Sequence, residues 1–250
     1  MEIKQFGLIG KNISYSFSQG YFTEKFKQLE EPGFSYENFD IQEIDEFVEI
    51  LESNPNLAGL NVTIPYKETI IPFLDKMSKK AKEIGAVNTI RFTKKGKTKG
   101  YNTDWYGFQK SLEPLLQSHH RKALILGTGG ASKAVAYALE QLGIGYLFVS
   151  RKTKKNTLDY SQLSEYIFSE YTIVINCTPL GTTPNVDAAP EIPFEFFTEN
   201  HIAYDLIYNP SETAFLQKAK ANGAVIKNGL EMLKLQAEKA WEIWNKSIDS

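Results

Sequence analysis

Short apolar runs alternate with amphipathic stretches in the first hundred residues. The runs predict strands, and the stretches between them carry apolar residues at helical spacing. The predicted strands are Ile3–Ile9, Tyr36–Phe39, Leu57–Val62, Val87–Phe92 and a short one near Lys99–Asn102, with a turn at Lys94–Lys97; the predicted helices are Gln19–Leu29, Glu43–Leu51 and Ile71–Ile84. Strands and helices in this alternation are typical of βαβ units and a largely parallel sheet.

A second series of the same kind begins after a predicted helix at Trp105–Leu116. Its predicted strands are Ala123–Leu126, Tyr146–Ser150, Thr172–Asn176, Ile202–Leu206 and Val225–Ile226, and its predicted helices are Ala131–Leu142 and Leu230–Ile248. The pattern therefore predicts two α/β units, with the boundary in or beside the Trp105–Leu116 helix. The order of elements along the chain does not say which unit the last helix packs against.

Composition narrows the class of protein. The 250 residues are enough for one or two domains, and 42% hydrophobic and 23% charged residues are typical of a soluble globular protein. A net charge of −2 gives no general attraction to nucleic acid or to an anionic membrane. The single cysteine, Cys177, excludes an internal disulfide, and the three histidines show no zinc-ligand spacing. The sequence has neither an apolar leader nor an apolar run long enough to span a membrane, so we expect a cytoplasmic protein. Because the cysteine and histidines show no ligand spacing, we expect no metal.

The run from Gly59 to Lys67 places polar residues within an apolar strand. Asn61 and Thr63 alternate with apolar neighbours, and Pro65 ends the strand or starts the next element because it lacks an N–H. Lys67 then falls in the predicted first turn of a helix, where the positive end of the helix dipole would disfavour its charged form. Such a lysine can exchange protons near neutrality, although a solvated lysine is the simpler interpretation of this segment alone.

A glycine-rich turn joins a strand to a helix at Gly127–Ser132. Gly127 suits the tight turn, and Gly129 and Gly130 let a pyrophosphate approach the helix N–H groups. The segment departs from G-x-G-x-x-G because Ser132 takes the place of the third glycine, but the flanking strand and helix favour dinucleotide binding. After the next strand comes Ser150-Arg151-Lys152 instead of an acidic residue, which favours NADP over NAD.

Other polar residues also stand at the ends of predicted elements. Ser14, Ser16 and Ser18 alternate in a loop that can bind a carboxylate, and Asn88 begins a strand. Asp104 precedes a helix, where capping is the simpler role. In the second unit, Tyr208 follows a strand, and Gln236 edges the apolar face of the last helix. Cys177 is interpreted as a buried small residue.

Taken in order, these segments resemble the shikimate dehydrogenases, from residue 7 to about residue 244. They are the serine loop, Asn-Val-Thr-x-Pro-x-Lys, Gly-Ala-Val-Asn-Thr, Asn-Thr-Asp, the glycine turn, Tyr-Asn-Pro with Thr213, and Gly-Leu-x-Met-Leu-x-x-Gln. Asn12, Tyr15 and Gln19 depart from the residues usual in the family. The resemblance implies a substrate-binding domain at 1–103 and 230–250, with a mainly parallel sheet and the last helix returning to it. It also implies a Rossmann-type NADP-binding domain at 104–229.

The resemblance also implies the roles of individual residues. Lys67 and Asp104 are implied as the catalytic pair, and Ser16 and Ser18 as ligands of the shikimate carboxylate. The implied contacts to the rest of shikimate are Asn61, Thr63, Lys67, Asn88, Asp104, Tyr208 and Gln236. The implied cofactor residues are Gly127, Thr128, Gly129, Gly130 and Ala131 at the pyrophosphate, Ser150, Arg151 and Lys152 at the adenosine phosphate, and Thr178, Leu206 and Gly229, the last two near the nicotinamide.

The expected activity is therefore reduction of 3-dehydroshikimate to shikimate with NADPH, by a monomer or homodimer. Two alternatives are compatible with the same residues. One is a quinate/shikimate dehydrogenase with relaxed choice of substrate and cofactor. The other is an NADP-binding sensor that keeps the fold without the chemistry, against which the presence of both Lys67 and Asp104 argues.

Overall fold

The computed structural model describes residues 4–14, 16–30, 32–93, 95–151 and 156–246, which fall into two compact units. The first unit comprises the described residues up to Thr103 together with those from Ala237 onward, and the second is Asp104–Gln236. The elements of the first unit up to Thr103 are β1 Lys4–Gly10, α1 Phe17–Gln28, β2 Phe34–Asp40, α2 Glu46–Ser53, β3 Leu57–Val62, a 3₁₀ helix Ile71–Phe73, β4 Lys76–Met77, α3 Lys79–Ile84, β5 Thr89–Phe92 and β6 Thr98–Tyr101.

The sheet of the first unit has the strand order β2-β1-β3-β5-β6-β4. Strand β1 pairs in parallel with β2 and β3, whereas β5 runs antiparallel to both β3 and β6. The short strand β4 pairs in parallel with β6. The predicted turn between β5 and β6 is confirmed at Gly96, which adopts a positive φ of 72°; Lys94 lies outside the described residues. The serine loop follows β1, and the segment with Asn61, Thr63 and Lys67 begins at the end of β3. These two polar segments are neighbours because β1 and β3 are adjacent in the sheet.

The predicted helix at Ile71–Ile84 is wrong. Pro72 supports only a short 3₁₀ helix, and Leu74 returns to extended backbone. A separate helix, α3, then starts at Ser78, whose side chain accepts the N–H of Ala81 at 3.2 Å. Lys67 consequently lies in a series of turns before the 3₁₀ helix, not in the first turn of a helix.

The elements of the second unit follow Asp104. They are α4 Asp104–Leu112, a 3₁₀ helix Glu113–Leu115, β7 Lys122–Leu126, α5 Gly130–Gln141, β8 Gly145–Val149, β9 Thr157–Leu158, a 3₁₀ helix Tyr160–Gln162, α6 Glu165–Glu170, β10 Ile173–Asn176, a 3₁₀ helix Phe194–Phe196, β11 Ile202–Asp205, α7 Ala214–Ala221 and β12 Val225–Lys227. Helix α4 is shorter than predicted because Pro114 turns its end into a 3₁₀ helix. Strands β4 and β9 and helices α6 and α7 are additions to the predicted elements.

The sheet of the second unit is parallel throughout its described pairings, in the order β9-β8-β7-β10-β11-β12. In chain order this is 3-2-1-4-5-6, the order of a Rossmann dinucleotide-binding sheet. Alternate residues of β7 enter opposite cores, with Ala123 and Ile125 on one face and Leu124 and Leu126 on the other. Both faces are thus covered, as a parallel sheet requires. The reversal of strand order lies between β7 and β10, at the end of the glycine-turn strand.

Helix α8, Leu230–Asn245, passes from the second unit into the first between Gln236 and Ala237. Trp244 then packs against Gly59 of β3, where an added Cβ would collide with the indole. Its indole N–H donates to the Ile90 carbonyl oxygen at 2.9 Å, and its ring centroid lies 4.9 Å from that of Phe6. The end of this helix therefore completes an aromatic core of the first unit. No helix in the part of the chain that the structure describes is long and apolar enough to cross a membrane.

Candidate active site

Ser16 and Ser18 lie at the N-terminus of α1. Ser16 is the N-cap, and its hydroxyl accepts the backbone N–H of Ser18 at 3.1 Å. Ser18 lies in the first helical turn and is buried, so the predicted loop ends earlier than expected. The segment before them is fixed by the Asp40 carboxylate, which accepts the N–H groups of Asn12 and Ile13 at 2.8 and 3.1 Å. A helix N-terminus favours a negative charge, which suits the carboxylate expected at these serines.

Asn61 joins a buried hydrogen-bond network across the first sheet. Its side-chain oxygen accepts the phenol of Tyr36 at 2.8 Å, and its amide nitrogen donates to the Asn88 carbonyl oxygen at 3.3 Å and to Thr89 at 3.4 Å. Asn88 in turn accepts the backbone N–H of Thr103 at 2.7 Å and donates to the Thr103 hydroxyl at 2.9 Å. The structure therefore brings Asn61 and Asn88 together and connects them to the residue that precedes Asp104.

Lys67 and Thr63 are held by the turns that follow β3. The backbone N–H of Thr63 donates to Ile9 at 2.8 Å, and the carbonyl of Lys67 accepts the N–H of Val87 at 2.7 Å. Tyr66 beside Lys67 is buried, and its phenol donates to the Ile41 carbonyl at 2.9 Å. The backbone of Lys67 is thus fixed on both sides while its side chain is partly exposed. No helix begins at Lys67, so the prediction that it lies at the positive end of a helix dipole is wrong.

Asp104 is buried and is the first residue of α4, within the first turn instead of at the expected N-cap position. The N-terminal end of the helix dipole stabilises its negative charge. One turn later, Gly107 allows α8 to come close, because a Cβ there would collide with the Met232 carbonyl oxygen and lie 3.1 Å from the Cβ of Gln236. Residues three apart share a helix face, so Asp104 is on the face of α4 that α8 approaches. Gln236 is buried and donates to the Leu233 carbonyl at 2.9 Å, so it is not a solvated glutamine.

The glycine turn has the features of a phosphate cradle. Gly127 directly follows β7 with φ of +102°, a left-handed backbone that glycine adopts without strain. Gly129 is the N-cap of α5 with no side-chain cap bond, and the space around an added Cβ there is open to 4 Å. The first N–H groups of α5 therefore face a site that an anion can reach, flanked by Thr128 and Ala131. Ser132 is buried and donates to the Gly129 carbonyl at 2.6 Å, which stabilises the turn. These residues fit the pyrophosphate of a dinucleotide.

Ser150 and Arg151 follow β8. The N–H of Ser150 donates to the Leu158 carbonyl at 3.0 Å, which fixes the end of the strand. Arg151 is exposed, and its positive charge lies close enough to Tyr160 to offset part of the rise that burial causes in the pKa of that phenol. An exposed guanidinium at this point can reach a phosphate. Lys152, predicted with them, lies outside the described residues.

A buried carboxylate connects the ends of β10 and β11. Asp205 accepts the Thr213 hydroxyl at 2.6 Å, the Ile207 N–H at 3.0 Å and the Asn176 amide at 3.1 Å. Asn176 also accepts the hydroxyl of Thr178 at 2.7 Å, so Thr178 is held by the same network. Burial raises the pKa of Asp205 to about 6, although its three donors act in the opposite direction.

Leu206 and Gly229 are in direct contact. A Cβ on Gly229 would overlap the carbonyl oxygen of Leu206, and the Gly229 N–H donates to the Ile207 carbonyl at 3.0 Å. The two residues expected near the nicotinamide are therefore adjacent, beside the ends of β11 and β12. Tyr208 lies two residues after Leu206 and is partly exposed. Cys177 is partly exposed as a residue, and burial of its thiol raises its pKa.

Sequence reasoning missed two residues of these networks, Tyr36 and Asp205. Each is a polar residue within a predicted or adjoining apolar strand. A buried phenol or carboxylate requires hydrogen-bond partners. A polar residue in an apolar strand therefore signals a buried hydrogen bond, but the sequence does not identify its partner.

Residues 8–90 match the family model of the shikimate dehydrogenase substrate binding domain. Over 249 residues, the chain is 39% identical to a protein of Clostridium botulinum (strain Hall) named shikimate dehydrogenase (NADP(+)), covering 95% of each chain. A similarly named protein of Caldicellulosiruptor bescii is 37% identical over 264 residues, covering 97% of this chain and 89% of that protein.

Solved structures show the same fold. A shikimate dehydrogenase of Aquifex aeolicus superposes with a TM-score of 0.87 at 33% identity, covering 98% of this chain and 93% of that one. The shikimate 5-dehydrogenase of Thermus thermophilus, solved in complex with NADP(H) and shikimate, superposes with a TM-score of 0.86 at 30% identity. That match covers 98% of this chain and 94% of the other.

Proposed function

The chain belongs to the shikimate dehydrogenase family, and on that basis we propose that Lys67 and Asp104 are its catalytic residues. The enzyme is an NADP-dependent oxidoreductase that reversibly reduces 3-dehydroshikimate to shikimate in aromatic amino-acid biosynthesis. The observation that carries this activity is similarity to NADP-dependent relatives over 95% of the chain. It agrees with the glycine turn at the strand-order reversal of a Rossmann sheet.

In the proposed site, the first unit supplies most of the substrate contacts. Ser16 and Ser18 bind the carboxylate of shikimate at the N-terminus of α1, where the helix dipole adds to their hydrogen bonds. The remaining contacts to the ring and its hydroxyls are Asn61, Thr63, Lys67 and Asn88 from the first unit, and Asp104, Tyr208 and Gln236 from the second. Residues 1–103 and 230–250 are the proposed substrate domain, and residues 104–229 the proposed NADP domain.

The reaction requires a hydride and a proton. When bound, NADPH supplies the hydride for the carbonyl carbon of 3-dehydroshikimate. The Lys67 ammonium donates a proton to the carbonyl oxygen as it becomes a hydroxyl, and in the reverse direction its amine accepts that proton. The Asp104 carboxylate accepts a hydrogen bond from a substrate hydroxyl, which orients the ring.

The second unit holds the cofactor. The backbone of Gly127–Ala131 binds the pyrophosphate through the N–H groups at the start of α5. Ser150, Arg151 and Lys152 bind the adenosine phosphate. Thr178, fixed by Asn176, also contacts the cofactor, and the adjacent Leu206 and Gly229 line the nicotinamide side.

Substitution of Lys67 tests the proposed proton transfer. Lys67→Ala removes the donor, and we expect kcat to fall roughly 10²- to 10⁴-fold while NADP⁺ binding persists. Lys67→Arg keeps the charge but does not release a proton at neutral pH, so kcat should fall there as well. Lys79→Ala is the matched control, since that lysine is 91% exposed in the same unit. Near-normal kcat in Lys67→Arg would refute proton donation by Lys67.

Substitution of Arg151 tests recognition of the 2′-phosphate. Arg151→Ala removes a charge-assisted contact, and the KM for NADPH should rise roughly tenfold to a hundredfold with little change in the KM for NADH. Arg121→Ala, in the same unit, removes an exposed arginine whose guanidinium donates to the Ser118 carbonyl at 2.8 Å, and it should change neither value. Equal changes for both cofactors would contradict a 2′-phosphate contact.

Initial rates with shikimate and quinate, each with NADP⁺ and NAD⁺, test selectivity. We propose that shikimate with NADP⁺ is the preferred pair; comparable rates with quinate would overturn this preference. We also propose a cytoplasmic enzyme that is a monomer or homodimer. Light scattering of the purified protein measures its oligomeric state directly.

A further inference from the structure

Tyr36 lies on β2, an edge strand of the first unit's sheet, with its phenol buried. It occupies the middle of β2 and is 4% exposed. Its ring stacks on that of Phe22 of α1, with centroids 4.8 Å apart and an interplanar angle of 11°. A phenol in such an apolar cluster requires hydrogen-bond partners, because an unpaired buried hydroxyl is costly.

A proposed substrate-binding residue supplies that partner. The phenol donates to the Asn61 side-chain oxygen at 2.8 Å. Burial raises the pKa of Tyr36, and the Ser18 side chain lies close enough to the phenol to offset part of the rise. Tyr36 thus binds a residue of β3 and lies near a residue of α1.

We propose that Tyr36 is a positioning residue of the substrate site, which holds Asn61 in its binding orientation. The inference rests on the proposed function, in which Asn61 contacts shikimate. Tyr36 itself acts through Asn61.

The orientation of Asn61 shows what this connection does. Its oxygen accepts from Tyr36, so its amide nitrogen is directed toward β5, where its two bonds are long at 3.3 and 3.4 Å. Bonds of that length are weak and can be exchanged for a ligand. Without the phenol, the Asn61 side chain loses the donor that directs its amide nitrogen toward β5. Loss of preorganisation weakens binding without changing the chemistry of the reacting atoms.

Tyr36→Phe removes only the phenolic oxygen and keeps the ring that packs on Phe22. The KM for shikimate should rise roughly three- to tenfold, the usual effect of one lost buried hydrogen bond, while the KM for NADP⁺ stays unchanged. The control is Tyr21→Phe, which removes a phenol of α1 that bonds to Glu238 in the same unit. It should leave the KM for shikimate at the wild-type value.

Combination with Asn61→Ala tests whether Tyr36 acts through Asn61. The KM of the double variant should rise by less than the product of the two single effects, because both substitutions break the same connection. Multiplicative effects, or an equal rise of both KM values in Tyr36→Phe, would overturn the inference. If Asn61→Ala leaves the KM for shikimate unchanged, the proposed substrate site fails instead. If Asn61→Ala raises it and Tyr36→Phe does not, only the positioning role of Tyr36 fails. If Tyr36→Phe does not fold, the KM values of Ser18→Ala, Asn61→Ala and their double variant measure the coupling between these two residues near Tyr36.

Discussion

Replacement of Asp205 by asparagine should change how the stability of this enzyme depends on pH. Asn is compatible with the site, since its oxygen can accept from Ile207 and Asn176 while its amide donates to the Thr213 hydroxyl. That hydroxyl already accepts the Leu216 N–H as the N-cap of α7, and a second acceptor position is available on it. The substitution therefore removes the titration of Asp205 and leaves its geometry in place.

The magnitude follows from the shifted pKa. Burial raises the pKa of Asp205 to about 6, against about 3.9 for an unfolded aspartate. Between these values the folded protein keeps a proton that the unfolded chain has already lost, so the free energy of unfolding falls as pH rises through this window and levels off above it. A shift of about two pKa units corresponds to about 3 kcal/mol, of which about 2 kcal/mol falls between pH 4 and pH 7.

Urea unfolding of the wild type and Asp205→Asn at several pH values measures the effect. The free energy of unfolding of the variant minus that of the wild type should increase by about 2 kcal/mol from pH 4 to pH 7. Asp159→Asn is a control of opposite sign, because backbone and side-chain bonds from Ser161 lower the pKa of Asp159. Its ionised form stabilises the fold at high pH, so that variant should lose stability relative to the wild type as pH rises. A difference for Asp205→Asn that is independent of pH would refute the reasoning.

Two glycines should respond in opposite ways to an added methyl group. Gly229→Ala places a methyl group against the Leu206 carbonyl oxygen and should destabilise the fold by roughly 1–3 kcal/mol. Thermal unfolding measures this loss, and initial rates should show a higher KM for NADP⁺. An unchanged melting temperature would contradict the close approach. Gly20→Ala lies within α1 with no atom within 4 Å of the new methyl and should raise the free energy of unfolding by roughly 0.5–1 kcal/mol; a loss of stability would show that this position is more crowded than the structure has it.

The parts of the fold that the sequence predicted well are those with a strong local pattern. Strands β3 and β7 and helix α5 came within one residue of their predicted bounds. The strands are marked by mainly apolar runs, and α5 by its helical apolar spacing and the glycines at its two ends. The two-residue strands β4 and β9 carry too few residues to show any period. The helix predicted from Ile71 failed because Pro72 and the capping of α3 by Ser78 are local effects that outweigh a weak apolar spacing.

Residues of the candidate site were likewise predicted where a local pattern marks them and missed where it does not. The glycine turn was predicted because phosphate binding depends on a contiguous segment. Tyr36 and Asp205 were missed because their roles depend on partners far along the chain: Asn61 is 25 residues from Tyr36, and Asn176 is 29 residues from Asp205. Hydrogen bonds between distant segments leave no periodic pattern in one sequence. The turn that holds Lys67 likewise depends on a bond to Val87 that the Gly59–Lys67 run does not reveal.

The packing of α8 also sets an order of events during protein synthesis. The core of the first unit contains Phe6 and Trp244, whose rings are in contact although the residues lie at opposite ends of the described chain. Ribosomes add about 5–20 residues per second, so Phe6 waits roughly ten to fifty seconds for its partner to be made. The second unit, Asp104–Gln236, is fully synthesised before that partner exists. The unit that begins first along the chain is therefore the one whose core sequence is completed last, and β1 must remain soluble without Trp244 in the meantime.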